Sequence, residues 1–299
     1  MNIGQPDLPT PGEFFAAIRG FDATVLDYAP SPGLPCLVSA IRDYYEELGV
    51  HLESEQVLVT AGGSEALQIL MLCILDADSE VMNPEPFYPN YQTIVRAAGG
   101  VIRPISTTPE CGCRYATPTQ LEAACTKRTR AILVSSPGNP TGVVLQPEEM
   151  RVLADFAKSH DLYLISDEVY REFVYDGQPP ASFAQLEDVS EHLVLIDSVS
   201  RRYSACGARI GALLSKNAPL MGQSMQLAQA RLSVSALEQY GAAALYACGG
   251  KYLADTVPLY RARRDICFEM LPKIQLLYEG HSTWPKKAVL RPWRTMWQF

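Results

Sequence analysis

The chain has no run of about 18 uncharged apolar residues, so no transmembrane helix is expected. Histidine is scarce. The four present, His51, His160, His192 and His281, stand at no ligand spacing to one another, which argues against a metal enzyme. Basic charge is short too: 25 Lys and Arg against 33 Asp and Glu leave a formal net charge of -8. That balance disfavours nucleic acid or an anionic membrane as the main partner. Neither a G-x-G-x-x-G nor a Walker pattern occurs, so dinucleotide and nucleoside-triphosphate sites lose support. The opening Met1-Asn2-Ile3-Gly4-Gln5-Pro6-Asp7 lacks a basic flank followed by an apolar run, so a signal peptide is not expected. Eight scattered cysteines in a chain too large to need disulfide staples suggest reduced thiols in a cytoplasm. Cys111 and Cys113, a C-x-C with no histidine nearby, read as a polar loop rather than a metal site.

What is present is a globular composition, 47% hydrophobic and 19% charged, over 299 residues. Short apolar runs alternate with helical patterns, which predicts an α/β fold with a mostly parallel sheet between helical layers. Strands are expected at Val57 to Val59, Glu80 to Met82, Val101-Ile102, Ala131 to Val134, Leu162 to Ile165 and Leu193 to Ile196. Helices are expected at Leu34 to Leu48, Gly63 to about Leu75 and Pro147 to about His160. Asn217 to about Cys248 reads as mainly helical, and Lys251 to about Leu271 as a separate long helix. Beyond about Ile274 the pattern fits neither period. That tail holds all three tryptophans (Trp284, Trp293, Trp297) with Lys286, Lys287, Arg291 and Arg294, and reads as sequence that has left its parental frame.

Open α/β sheets bind ligands at strand ends. Three such ends here carry complementary chemistry: Asn139 after the first, Asp167 and Tyr170 after the second, Ser198 and Ser200 after the third. Singly, Asp167 could cap a helix, Asn139 could belong to a turn, and Tyr170 could be core packing. In this order the group gains specificity. Upstream, Gly62-Gly63-Ser64 joins a strand to a helix, and small residues there expose backbone N–H groups and the positive dipole end, a fitting phosphate cradle.

With these motifs in hand, the chain resembles the class I/II, fold-type-I pyridoxal-phosphate-dependent aminotransferases, close to the bacterial aspartate-aminotransferase type. The matching residues run from Gly4-Gln5-Pro6-Asp7 through Tyr28-Ala29-Pro30, Gly62-Gly63-Ser64-Glu65-Ala66, Pro86-Phe87-Tyr88, Asn139-Pro140-Thr141-Gly142, Asp167-Glu168-Val169-Tyr170 and Ser198-Val199-Ser200 to Gly207-Ala208-Arg209-Ile210-Gly211. The resemblance implies a three-layer α/β/α large domain over residues 13–262, an N-terminal remnant over 1–12, and over 263–299 the start of an otherwise largely missing small domain. It implies amino-group transfer between an amino acid and a 2-oxo acid, in a cytoplasmic, biosynthetic homodimer. It also implies roles. Asp167 would pair with the pyridine nitrogen, Asn139 and Tyr170 with the ring's phenolic oxygen, and Tyr88 would stack on the ring. Gly63, Ser64, Ser198 and Arg209 would hold the phosphate. Tyr28 would reach the phosphate of the partner subunit, and Gly4 and Asn139 would meet the substrate.

One position breaks the pattern. Six residues before Gly207 stands Arg201, where the family has lysine. That lysine bonds the cofactor aldehyde and then moves a proton between substrate and cofactor, which requires an amine that can be neutral. A guanidinium stays protonated, so Arg201 suits neither task, and pyridoxal 5'-phosphate is expected to bind non-covalently. Arg202 is no substitute, and Lys216 lies past the motif. In the family, an arginine of the small domain clamps the substrate carboxylate; Arg291 and Arg294 stand in surroundings unlike that motif. Three readings follow: an impaired aminotransferase, a non-catalytic cofactor-binding pseudoenzyme or partner of an intact paralogue, and a C–S lyase of the same fold.

Overall fold

A computed structural model describes residues 4–176 and 179–278, with side chains through 270. The tail residues Trp284, Lys286, Lys287, Arg291, Trp293, Arg294 and Trp297, singled out from the sequence, lie outside the described residues. Among the described residues seven strands form one sheet: β1 (Val57–Thr60), β2 (Glu80–Pro84), β3 (Val101–Ile105), β4 (Thr129–Ser135), β5 (Tyr163–Asp167), β6 (Leu193–Ser198) and β7 (Gly211–Leu214). Their order is β1-β7-β6-β5-β4-β2-β3, and only β7 runs antiparallel to its neighbours. The mostly parallel sheet read from the apolar runs is therefore the observed one.

Successive side chains of a strand point to opposite faces, and here each face meets its own helical layer. Ile132 and Val134 of β4 join one cluster, Ala131 and Leu133 the other; Leu164 and Ile165 of β5 divide likewise. On the first face pack α1 (Gly12–Arg19), α2 (Pro35–Glu46), α5 (Pro118–Ala124), α6 (Pro147–Ser159) and α9 (Ala236–Tyr278). On the second lie α3 (Gly63–Ile74), α4 (Pro89–Ala97) and α8 (Ala218–Ala230). Three layers result, and strand side chains such as Leu133 are wholly buried. Each such leucine contributes about 1.5–3 kcal/mol of hydrophobic stabilisation.

Local chemistry explains several boundaries. Helix α6 starts where Gln146 and Glu149 cap each other, with Pro147 at its first position. Met150, Leu153, Ala154 and Ala157 then make its buried stripe. The expectation of separate helices after Asn217 needs correcting at one point. Residues 236–278 form a single helix that passes straight through Gly249-Gly250, a pair that reads as a break. Its glycine has a packing reason: a Cβ at Gly249 would lie 2.6 Å from Tyr203 Oη. Helix α9 also continues across position 262, so secondary structure draws no line there.

Helices α1, α4 and α5 and strand β7 were not anticipated as elements. The three helices are short, of 8, 9 and 7 residues, too short for a clear period. All eight cysteines are free. Cys111 ends a 3₁₀ turn on the surface as read, whereas Cys113 of the same C-x-C is buried, 3% exposed. Among the described residues no helix is long and apolar enough to cross a membrane.

Candidate functional site

The carboxyl ends of β4, β5 and β6 and the amino end of α3 open on one cavity of about 250 Å³. Asn139, Asp167, Tyr170, Ser198, Arg201 and Arg209 line it, as do Gly4, Gly63, Ser64 and Tyr88. These residues are distant in sequence, and parallel strands bring them to the same edge. Tyr28 does not line the cavity and is 78% exposed, standing free on this chain's surface.

The acid floor comes from β5. Asp167, the last residue of that strand, is 7% exposed. Its Oδ2 accepts a hydrogen bond from Tyr91 Oη at 2.6 Å, and its Oδ1 accepts one from Val169 N at 3.2 Å. Burial pushes the carboxyl up to about 6, against the pull of those two donors. Among the described residues no cation forms an ion pair with it. Tyr91 was missed in the sequence. It stands one helical turn after Tyr88, and that spacing at the start of an amphipathic helix is the signal that could have found it. The two rings meet edge to face, centroids 5.4 Å apart.

The anion cradle comes from α3. Gly62, its N-cap, has φ of 86°, a left-handed conformation that glycine adopts without strain. The first bond of the turn runs from Glu65 N to Gly62 O, so the N–H groups of Gly63 and Ser64 precede the helix ladder. Strand β7 packs hard against this turn: a Cβ on Gly211 would lie 2.7 Å from Gly63 N. Arg209 leans over the cradle, donating to Ala61 O at 3.3 Å and Cys206 O at 3.1 Å. Ser198 Oγ caps the short helix α7 (Val199–Arg202), accepting from Ser200 N at 3.1 Å.

Arg201 sits on the wall between floor and cradle. Its Nε donates to Tyr170 Oη at 3.1 Å and its Nη1 to Cys206 Sγ at 3.2 Å. Cys206, also missed in the sequence, donates in turn to Ser200 O at 3.1 Å. The next residue is occupied elsewhere. Arg202 is 1% exposed and grips Asp197 through Nη1 at 3.0 Å and Nη2 at 2.7 Å. Lys216 pairs with Glu187 at 2.9 Å and lines no part of the cavity. Thus no lysine reaches the cavity among the described residues.

Chemically, the arrangement can take a small polar ligand with a basic group toward the buried acid and an anion toward the helix end. The donor set fits a phosphorylated pyridine: Asp167 for the ring nitrogen, Gly63, Ser64, Ser198 and Arg209 for the phosphate. A glycine-lined turn that any Cβ at position 62 would close against the Arg209 guanidinium fits the same group.

Comparison with known proteins points the same way. The sequence profile of the family described as Aminotransferase class I and II matches residues 1–296. A probable aspartate/prephenate aminotransferase of Thermus aquaticus is 34% identical over 283 residues, covering 92% of this chain and 72% of that relative. The solved structure of aspartate aminotransferase from Thermus thermophilus with maleate superposes with a TM-score of 0.84 at 31% identity, over 91% of this chain and 71% of that one. An aromatic aminotransferase from Pyrococcus horikoshii OT3 gives a TM-score of 0.86 at 27% identity, over 91% and 74%. The class is that of α/β transferases with a strand-end pocket. Within it, the chain belongs to the class I and II aminotransferase family, with the fold that its motifs implied.

Proposed function

We propose that the pocket binds pyridoxal 5'-phosphate non-covalently, in a chain built for amino transfer between an amino acid and a 2-oxo acid but impaired at the lysine step. The observation that carries this reading is a buried acid with no ion-paired cation among the described residues, in one cavity with a helix amino end and Arg209, and with Arg201 in place of any amine. When bound, the pyridine ring supplies an electron sink for the α-carbon of an amino acid. Asp167 would hold the ring nitrogen protonated, Asn139 and Tyr170 would orient the ring through its phenolic oxygen, and Tyr88 would lie on its face. Gly63, Ser64, Ser198 and Arg209 would anchor the phosphate. Gly4 and Asn139 would meet the substrate.

Tyr28, standing exposed, would complete the cradle of a second copy in a homodimer. The eight free thiols suit a cytoplasmic protein. Residues 13–262 would form the cofactor-binding domain, with 1–12 as a leading segment and 263–299 as the entry to a second unit. A second reading, a pseudoenzyme that keeps the cofactor without turning it over, is favoured by one observation: Arg201 is engaged by Tyr170 and Cys206 rather than free to act as a base. Losing general acid-base catalysis alone lowers the rate by about 10²- to 10⁴-fold.

The test is borohydride reduction in the presence of pyridoxal 5'-phosphate, followed by peptide mass mapping. The expected result is cofactor absorbance retained through gel filtration, with no phosphopyridoxyl adduct on the site peptides of the parent chain. Arg201→Lys should acquire the adduct at that position. An adduct on a site residue of the parent chain, or no retention by either protein, would overturn the reading.

A further inference from the structure

The charges lining the cavity do not balance once a phosphorylated pyridine is placed against them. Among the described residues, three lining side chains are charged: Asp167, Arg201 and Arg209. A protonated ring nitrogen answers Asp167, and a phosphate dianion answers Arg209 together with the amino end of α3. Arg201 is left over. Its polar partners are a phenol and a sulfur that gives its own hydrogen to Ser200 O, and neither is a carboxylate. Both hold the guanidinium in place, Tyr170 also with its ring face, 5.9 Å from Cζ to centroid. A positioned, part-buried cation with no ion-paired carboxylate among the described residues is a recognition element for an anion or a carbonyl.

We infer that Arg201 makes a second anion subsite in this pocket, so that the site prefers a pyridine phosphate bearing a carboxylate or carbonyl over one bearing an amine. The inference rests on the proposed cofactor pocket and adds to it a direction of selectivity. In a pyridine the substituent opposite the ring nitrogen points away from whatever holds that nitrogen, here Asp167. A carboxylate or aldehyde oxygen at that position would accept from the guanidinium, whereas an aminomethyl group would bring a second cation beside it.

Three non-reactive ligands separate the possibilities, because they share ring and phosphate and differ at that one substituent. They are 4-pyridoxic acid 5'-phosphate, 4-deoxypyridoxine 5'-phosphate and pyridoxamine 5'-phosphate, each titrated calorimetrically into the full chain. The carboxylate ligand should bind about tenfold tighter than the methyl ligand, and the aminomethyl ligand weakest, as a charge-assisted hydrogen bond requires. In Arg201→Met the three affinities should converge to within about twofold. Arg201→Gln, which keeps a polar partner for Tyr170, should give the same convergence if the methionine variant folds poorly. Equal binding of all three by the parent chain, or a preference that survives both substitutions, sinks the subsite while leaving the cofactor pocket standing. Failure of even the methyl ligand to bind overturns both readings.

Discussion

Neighbouring strands β5 and β6 carry two buried aspartates, one at the last residue of β5 and one next to the last of β6, and the molecule treats them in opposite ways. Asp197 is wholly buried, yet its carboxyl titrates below the ordinary range. Burial presses it upward, but the charge and paired hydrogen bonds of Arg202 outweigh that pressure. Tyr246 Oη adds a third bond, at 3.1 Å. Asp167, 7% exposed, has a phenol and a backbone N–H instead of a cation, and burial wins. The first aspartate is completed by its own chain. The second is left to be completed by something else. A buried ionised acid with no ion-paired cation among the described residues destabilises the fold that carries it, and a ligand with a basic group, as proposed above, would relieve that cost.

Breaking the completed pair should have the largest effect. Arg202→Leu strands Asp197 in the interior, and the expected loss is about 3–5 kcal/mol, read from urea unfolding midpoints. Adding Asp197→Asn should recover much of it, because the stranded charge is then gone. If Arg202→Leu unfolds at the same urea concentration as the parent, the pair is not what separates the two aspartates.

A smaller effect of opposite sign belongs to Asp167. Its folded carboxyl stands at about 6, above the ordinary 3.8. Its contribution to stability is therefore fully present below pH 3.8 and is lost as the pH rises through about 6. Asp167→Asn should then stabilise the ligand-free protein by about 1–3 kcal/mol at pH 8, with the gain fading at acid pH. The same change should remove the preference for a protonated pyridine. Thermal unfolding between pH 4 and 8 measures the first part. A gain that does not depend on pH would mean that Asp167 is not the titrating group.

The finest distinction rests on Tyr91. Tyr91→Phe deletes a donor to the ionised carboxylate, so the Asp167 titration should move upward and stability at pH 8 should fall by about 1 kcal/mol. Carboxyl-carbon nuclear magnetic resonance of Asp167 follows that shift directly. An unmoved titration would show that the 2.6 Å contact carries no weight in solution.

Much of this was legible in the residues. The motifs around Asn139, Asp167, Ser198 and Arg209 announced one pocket, and all four line it with Tyr88 and Tyr170. Less visible were residues whose significance depends on what lies across the sheet. Tyr91 is an ordinary aromatic of a short helix until β5 brings Asp167 beneath it. Asp197 reads as a polar residue closing an apolar strand, and its bond to Arg202 appears only when the chain turns through α7. Gly249 reads as a helix break until Tyr203 is found against it.

By itself, then, the order of residues determined the layered α/β architecture, the strand-end chemistry and the substitution at Arg201. Each is written in short-range terms: side-chain period, turn residues and motif spacing. Only the folded arrangement decided which acid received a cation and which did not. The partners of Asp167 and Asp197 come from separate helices and loops, and the energy of a buried charge depends on every group around it rather than on its neighbours in the chain.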